Sequence, residues 1–281
     1  MAKFHLLNGA FVTQEEAVLP ITDLSILRGY AVFDYFRVID GVPLFIDLHI
    51  DRFIRSAKYL DLELPFDKDK MTGHVHQLIE KNEMIMGAMR LLATGGCSDD
   101  GYSLAKPNIV FQAMDYPHFP KHFNDNGVKI LLEEYVRENP LIKSTNYIHG
   151  LQLKKKLNET GNDFVLYHHN GIISESDRSN FFIISQEGEL CTPKKDILHG
   201  ITRHNIINLM KEEMPVAIRP ITLADLKQAK EAFISSSAKG VMAVVAVDGQ
   251  PIGDGTIGAT TTLISDKYER YIREYVDSNG D

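Results

Sequence analysis

An α+β protein with two halves is what this sequence predicts. Three observations lead there. Short apolar runs are closed by turn dipeptides such as Asn8-Gly9, Asp40-Gly41, Asn170-Gly171 and Glu187-Gly188. Helical stretches fall among these runs without strict strand-helix alternation, which excludes a Rossmann-type parallel sheet. One long stretch near the middle, Asp115 to Gly127, has no periodicity at all.

Taken in order, Phe4 to Val12 reads as a hairpin, because Asn-Gly between apolar runs favours a two-residue turn. Ile26 to Ile39 is a second extended region, closed by Asp40-Gly41. Asp47 to Leu60 is the first helix: Ile50, Phe53, Ile54, Ala57 and Leu60 recur at helical spacing, and Asp47 is placed to cap it. Asp67 to Met84 is a second helix. Met89 to Thr94 is a strand running into a loop with three glycines, and Pro107 to Met114 is another strand. The aperiodic stretch marks the boundary, giving a domain over 1–118, a linker over 119–126 and a domain over 127–281.

In the second half, Val128 to Tyr135 reads as strand, Gly150 to Asn158 as helix, and Phe164 to His168 as a strand turning at Asn170-Gly171 into Ile172 to Ser174. Phe181 to Ser185 and Glu189 to Cys191 continue an antiparallel pattern. His204 to Glu213 carries Ile206, Ile207, Leu209 and Met210 on one helical face. Ala232 to Ser235 and Val241 to Val247 return as strands, and Thr262 to Val276 closes the chain as a helix.

Bulk properties narrow the function. With 281 residues, 44% of them hydrophobic and 24% charged, the chain can bury the cores of two globular domains. A net charge of −8 argues against nucleic acid or an anionic membrane as the main partner. The longest apolar run, Val241 to Val247, is too short to span a bilayer, and no basic start leads into an apolar stretch. Two cysteines, Cys97 and Cys191, make neither a disulfide framework nor a metal set. A soluble, cytoplasmic protein without a metal is expected.

The chemistry concentrates between Leu141 and Ile184. Lys143 follows an apolar pair with no carboxylate close behind it, and the return leg of the next strand pair ends on an isolated Glu175. An amine that forms a Schiff base must lose its proton near neutral pH, which apolar surroundings or a neighbouring cation favour. Pyridoxal phosphate, the commonest cofactor held this way, also wants an acid at its pyridine nitrogen and a cup for its phosphate. Leu198 to Arg203 leads into a helix, and Ile201 and Thr202 at such a start offer free amides and a hydroxyl to a phosphate. Ser235-Ser236-Ser237, at the end of a strand, is a second wall for the same cup.

These residues amount to a resemblance. Lys143-xx-Asn-Tyr, Gly171-xxx-Glu175-xxxx-Asn180-Phe, Thr192-Pro193 with Ile197-Leu-x-Gly-Ile-Thr-Arg203, Ser235-Ser-Ser-Ala238 and, upstream, Val32-Phe-Asp-Tyr-Phe-Arg37 with His49-xx-Arg52 resemble the ordered blocks of class IV aminotransferases. The resemblance implies the fold-type IV architecture: a smaller N-terminal α/β domain and a larger C-terminal domain of mostly antiparallel strands with helices. It implies a pyridoxal 5'-phosphate-dependent transaminase, acting on an amino acid and a 2-oxo acid, in homodimers. Lys143 becomes the catalytic Schiff-base residue. Glu175 becomes the partner of the ring nitrogen, Tyr147 that of the phenolic oxygen, and Arg52, Ile201, Thr202, Ser236 and Ser237 the phosphate cup. From the residues alone Arg52 could equally lie on a solvated face, and Arg90, the one charge between Ile85 and Ala93, could equally pair with a structural carboxylate. By resemblance Arg90 faces substrate, with Phe33 and Ala238.

Within the family the substrate branches. Phe33, Tyr35 and Met89 suit an apolar side chain and favour branched-chain-like L-amino acids. D-amino-acid aminotransferases usually carry an Arg-x-His pair in the loop after the Arg90 strand, and Gly95 to Lys106 has neither residue. Aminodeoxychorismate lyase shares the short lysine-to-asparagine spacing but does not generally need an arginine like Arg90. A catalytically silent cofactor-binding homologue is the third possibility. The chain departs from the usual blocks at Tyr30-Ala31 for Asp-Gly, Asp34 for glutamate and Ala88 for tyrosine.

Other signals carry less. Gly253-x-Gly-x-x-Gly258 matches a dinucleotide pattern, but 23 residues remain after it (281 − 258), too few for the second strand and its ribose-binding acid. His74-x-His76 diverge on a helix, and His168-His169 point to opposite faces of a strand. Lys154-Lys155-Lys156 repel one another and suit a solvated face.

Overall fold

The computed structural model describes residues 2–120 and 122–280; Met1, Lys121 of the expected linker and Asp281 lie outside them. The chain forms two compact units. One gathers everything up to Pro117 with Ile142–Asn146 and the stretch from Arg273 onward; the other holds His118–Leu141 and Tyr147–Ile272.

The first unit is built on a sheet of β1 (Phe4–Leu7), β2 (Ala10–Thr13), β3 (Ala31–Ile39), β4 (Val42–Pro43), β5 (Met86–Thr94) and β6 (Ile109–Met114), in the order β2-β1-β6-β5-β3-β4. Every pairing in it is antiparallel. The hairpin turns do what their sequences require: Asn8 and Gly9, like Asp40 and Gly41, both take positive φ, which suits the right-handed twist of the strands they join. Helices α2 (Ile46–Tyr59) and α3 (Lys68–Lys81) close a core in which Phe36, Ile50, Phe53, Leu78 and Phe111 are fully buried.

Three expectations change here. Ile26 and Leu27 belong to a short helix α1 (Leu24–Leu27), because Asp23 caps Ser25 N; the strand starts only at Ala31. Asp47 does not cap α2: the cap is Phe45, at φ 52°, and Asp47 sits in the first turn, 3.1 Å from Lys68 Nζ. Residues 142–146, read as part of the second half, cluster with the first unit because their backbone is bonded to β3. The end of the chain joins the same unit, with Tyr275 packed 4.5 Å from Phe45.

The second unit contains α4 (His122–Asn126), β7 (Val128–Glu134), α5 (Ile148–Gln152), α6 (Lys154–Thr160), β8 (Phe164–His169), β9 (Ile172–Ser176), β10 (Ser179–Ile184), β11 (Leu190–Thr192), α7 (Ile201–Met210), β12 (Val216–Ile218), β13 (Ile221–Thr222), α8 (Leu223–Gln228), β14 (Glu231–Ser236), β15 (Gly240–Val247), β16 (Gln250–Pro251) and most of α9 (Ala259–Asn279). Its sheet runs β10-β14-β15-β7-β8-β9, and β9 pairs back onto β10, so these six strands close into a ring. Val128, Ile130, Leu166, Phe181 and Ile234 fill it. The helix expected from Gly150 to Asn158 is two short ones, divided at Leu153, which turns inward against Val165 and Tyr167. Among the described residues no helix is long and apolar enough to cross a membrane.

Each glycine of the 253–258 pattern has its own backbone reason. Gly253 and Gly255 take positive φ, and a Cβ on Gly253 would strike the Lys230 carbonyl. Gly258 lies against the Glu231 carboxylate, which accepts from Thr260 N, Thr261 N and Thr261 Oγ1 and so satisfies the first amides of α9. Gly258→Ala should push that carboxylate away and lower stability by about 1–2 kcal/mol, the usual worth of a cap. Urea unfolding that finds the variant as stable as the parent would contradict this account.

Candidate active site

β3 organises the first unit's share of the site. The segment 142–146 lies along it: Phe33 N donates to Lys143 O (2.8 Å), Thr145 N to Ala31 O (3.0 Å) and Thr145 Oγ1 to Gly29 O (2.9 Å). From helix α2, Ser56 Oγ accepts Lys143 N at 3.3 Å. Ile142 is buried in the core and anchors the start of the segment. Lys143 is half-buried, with Nζ 4.5 Å from the centroid of the Phe33 ring. Among the described residues Nζ has no hydrogen bond and no carboxylate. The lysines of α6 differ: Lys155 pairs with Glu159 and Lys156 with Glu133.

Behind β3 lies a buried cluster of charge. Asp34 is fully enclosed; Arg52 Nε donates to its Oδ2 and Arg52 Nη2 to its Oδ1, both at 2.8 Å. His49 Nδ1 is 2.6 Å from Asp34 Oδ1, and Tyr35 N donates to the same oxygen at 2.7 Å. Helical spacing puts His49 and Arg52 on one face of α2 and sends Arg55 to solvent, which explains why one of the two arginines is buried. Burial would raise the Asp34 pKa, yet the charges and hydrogen bonds of Arg52 and His49 hold it well below the usual carboxylate range. Burial pushes His49 below its ordinary value of 6.5, with Asp34 opposing and Arg52 and Lys143 adding to the fall.

On one face of the sheet, Phe33, Tyr35 and Arg37 alternate along β3, and Arg90 lies opposite Tyr35 on β5. Arg90 Cζ is 6.0 Å from the Phe33 ring centroid, and Nη1 reaches Gln112 at 3.4 Å. Arg37 Nη1 donates to Tyr116 Oη at 2.9 Å. Neither arginine has a carboxylate partner among the described residues. Burial drives Tyr35 up to about 12 despite both guanidinium groups. Met89, expected beside the substrate, is fully buried in the hydrophobic core, because its neighbour Arg90 takes the other face of the strand.

In the second unit Glu175 is the centre. It is buried on β9, and its Oε2 accepts Leu198 N (2.8 Å) and Asn180 Nδ2 (3.3 Å) while Oε1 faces Arg137 Nε at 3.1 Å. Asn180 also donates to Leu198 O (2.8 Å), and its Oδ1 lies where a Cβ on Gly200 would fall. Gly200 is the N-cap of α7, and no side chain caps the helix, so the amides of Ile201 and Thr202 have no intrahelical partner. Thr202 Oγ1 accepts Tyr268 Oη at 3.3 Å. Ser235, opposite Asn180 in the sheet, has a buried Oγ with no partner among the described residues. Ser236 ends β14 and Ser237 and Ala238 lie in the turn into β15, all three half-buried, and Tyr147 is the N-cap of α5. Arg203 is buried by Thr192 Oγ1 and Pro193 O, a structural role. A fixed buried carboxylate, an uncapped helix start held to it through one asparagine, and an orphaned hydroxyl nearby fit pyridoxal phosphate's nitrogen and phosphate.

The profile of the family described as amino-transferase class IV matches residues 31–247. A Methanocaldococcus jannaschii protein named for branched-chain-amino-acid aminotransferase activity is 33% identical over 275 residues, 94% of each chain. The chain belongs to the class IV aminotransferases. It is accordingly a pyridoxal phosphate-dependent transaminase. A D-alanine aminotransferase of Staphylococcus epidermidis is 28% identical, covering 96% of this chain and 98% of its own. Among solved structures, the Escherichia coli branched-chain amino acid aminotransferase superposes with a TM-score of 0.89 at 25% identity, over 95% of this chain and 93% of that one. The branched-chain amino acid aminotransferase of the thermophilic archaeon Thermoproteus uzoniensis, solved with norvaline, gives 0.88 at 23%, over 99% and 98%.

Arg137, the bond of His49 to Asp34 and the pinning role of Asn180 escaped the sequence reading. Only the i,i+3 spacing of His49 and Arg52, with an acid on the preceding strand, could have suggested the first cluster. That cluster also sets a pH dependence. A histidine whose pKa is lower folded than unfolded contributes stability that is whole above the unfolded value of 6.5 and is lost as pH falls through the window below it. Asp34, lowered from 3.8, contributes stability lost only further into acid. Urea unfolding from about pH 7.5 to about pH 5 should therefore weaken the wild type more steeply than His49→Asn. Parallel curves would refute the assignment.

Proposed function

We propose that this aminotransferase moves the amino group of an apolar, branched-chain-like amino acid to a 2-oxo acid, with Lys143 as its catalytic residue. The observation that carries the assignment is the Lys143 amine, half-buried over the Phe33 ring and without an acid partner among the described residues. When bound, pyridoxal phosphate supplies the electron sink that makes the substrate's α-proton removable. Lys143 Nζ would hold the cofactor and, as the base nearest the reacting carbon, would take the proton from the substrate's α-carbon. Glu175, fixed by Leu198 N and Asn180, keeps the ring nitrogen protonated. Ile201 and Thr202 at the start of α7, with Arg52, Ser236 and Ser237, bind the phosphate. Tyr147 serves the phenolic oxygen, and Phe33, Arg90 and Ala238 serve the substrate.

The name of the Methanocaldococcus jannaschii relative supports the branched-chain reading. A second reading takes D-amino acids as the donors. The Staphylococcus epidermidis relative is named for that activity. A homodimer belongs to the same proposal. It draws support from exposed apolar side chains of the first unit, among them Ile21 and Tyr102, each 81% accessible.

Glutamate formed from 2-oxoglutarate with L-leucine, L-alanine and D-alanine in separate incubations decides the donor. The branched-chain reading expects L-leucine to be fastest; D-alanine fastest would replace it with the second. Lys143→Ala should lower kcat by at least about 10²-fold, and Arg90→Gln should raise KM by about tenfold for loss of one charge-assisted contact. Normal turnover in the lysine variant would end the mechanism.

A further inference from the structure

One buried cluster is not accounted for by the roles above. Asp34 and His49 touch neither the amine nor the outer face of β3, and both are sealed from solvent. Among the described residues the charged side chain that Asp34 and His49 both meet is Arg52. An arginine side chain has many rotamers, and a buried guanidinium is costly unless paired. Asp34 answers both requirements, because contacts to Nε and Nη2 fix the plane of the fork as well as its position. The acid is itself held on two further sides, by Tyr35 N and by His49 Nδ1.

The placement of these groups is continuous with that of the lysine. His49, Arg52 and Ser56 recur at i, i+3 and i+7 on one face of α2. The first two meet Asp34, and the third accepts the amide of Lys143. Asp34 follows Phe33, whose own amide is bonded to the carbonyl of Lys143. One strand and one helix face therefore fix both the amine and the guanidinium.

We infer that Asp34 and His49 are positioning residues for the cofactor's phosphate, acting through Arg52: Asp34 sets the direction of the guanidinium and His49 sets Asp34. The inference rests on the proposed role of Arg52 as a phosphate ligand. It assigns the two residues a function that depends on the phosphate group and not on the aldehyde or the ring.

The test compares pyridoxal 5'-phosphate with pyridoxal, which lacks the phosphate. Holoenzymes of the wild type, Asp34→Asn, His49→Ala, His49→Asn and Arg52→Ala are stripped, and the affinity for each aldehyde is measured by absorbance. Asp34→Asn should weaken pyridoxal phosphate by about tenfold, equivalent to about 1.4 kcal/mol, and leave pyridoxal within about twofold. His49→Ala should shift the same ratio in the same direction by less. His49→Asn should restore it, since its amide can donate from nearly the place of the imidazole Nδ1. A role confined to folding would lower the melting temperature without moving the ratio.

The inference is overturned if Arg52→Ala weakens the phosphate form alone while Asp34→Asn and His49→Ala leave the ratio at the wild-type value. If Arg52→Ala itself leaves the ratio unchanged, what fails is the reading of Arg52 as a phosphate ligand. Should Asp34→Asn not fold, the His49→Ala and His49→Asn pair decides by the same ratio.

Discussion

The backbone pairing of a five-residue segment with β3 is the constraint on which the first unit's chemistry depends. Between Leu141 and Tyr147, both of which belong to the second unit, the chain returns to lie beside β3. Amides and carbonyls must find partners when they leave water, so the segment cannot slide without losing its bonds to Ala31 and Phe33. Register then decides everything nearby. Shifting a strand by one residue exchanges its two faces, and the same β3 carries Phe33 and Arg37 on one side and Asp34 and Phe36 on the other. A ring under the amine and a carboxylate behind it are two consequences of one register.

The second unit solves a different problem, the isolation of a negative charge. A buried carboxylate is costly unless hydrogen-bonded, and Glu175 has an amide, an asparagine and a guanidinium around it. Asn180 ties the arrangement together. One side chain touches the acid, the carbonyl of Leu198 and the backbone at Gly200, so the position of the carboxylate and the start of α7 are tied to a common point. Any side chain at position 200 would part them.

Much of this was legible in the residues, and the exceptions have physical causes. Turn dipeptides announced the hairpins because Asn-Gly and Asp-Gly accept positive φ with little strain. Lys143 stood out because it follows an apolar pair with no carboxylate close behind, and Glu175 because it ends the return leg of a hairpin turning at Asn170-Gly171. Asp47 misled, since an acid near a helix start serves a cap and a first turn equally well, and which one it becomes depends on the backbone at Phe45. Met89 misled for a related reason: beside Arg90 on a strand it had to point the opposite way, yet sequence alone does not say which face meets the core. His49 lies 15 positions from Asp34 (49 − 34) and Glu175 lies 38 from Arg137 (175 − 137), and no local pattern encodes such a meeting.

Charge balance gives the face beside Phe33 its meaning. The chain as a whole is acidic, with 38 carboxylates against 30 lysines and arginines, so acids were available to neutralise Arg37 and Arg90. None of the described carboxylates does so, although Arg37 is buried and its Nε lacks a hydrogen bond. Behind the same strand Arg52 has been given a carboxylate with two-point geometry. Cations without an acid partner on one side of a strand and a fully paired one on the other are hard to explain by stability, because Arg37 and Arg90 exchange solvation for neutral hydrogen-bond partners, Tyr116 and Gln112. An anion arriving from outside would restore the balance, which is what the proposed substrate role of Arg90 requires.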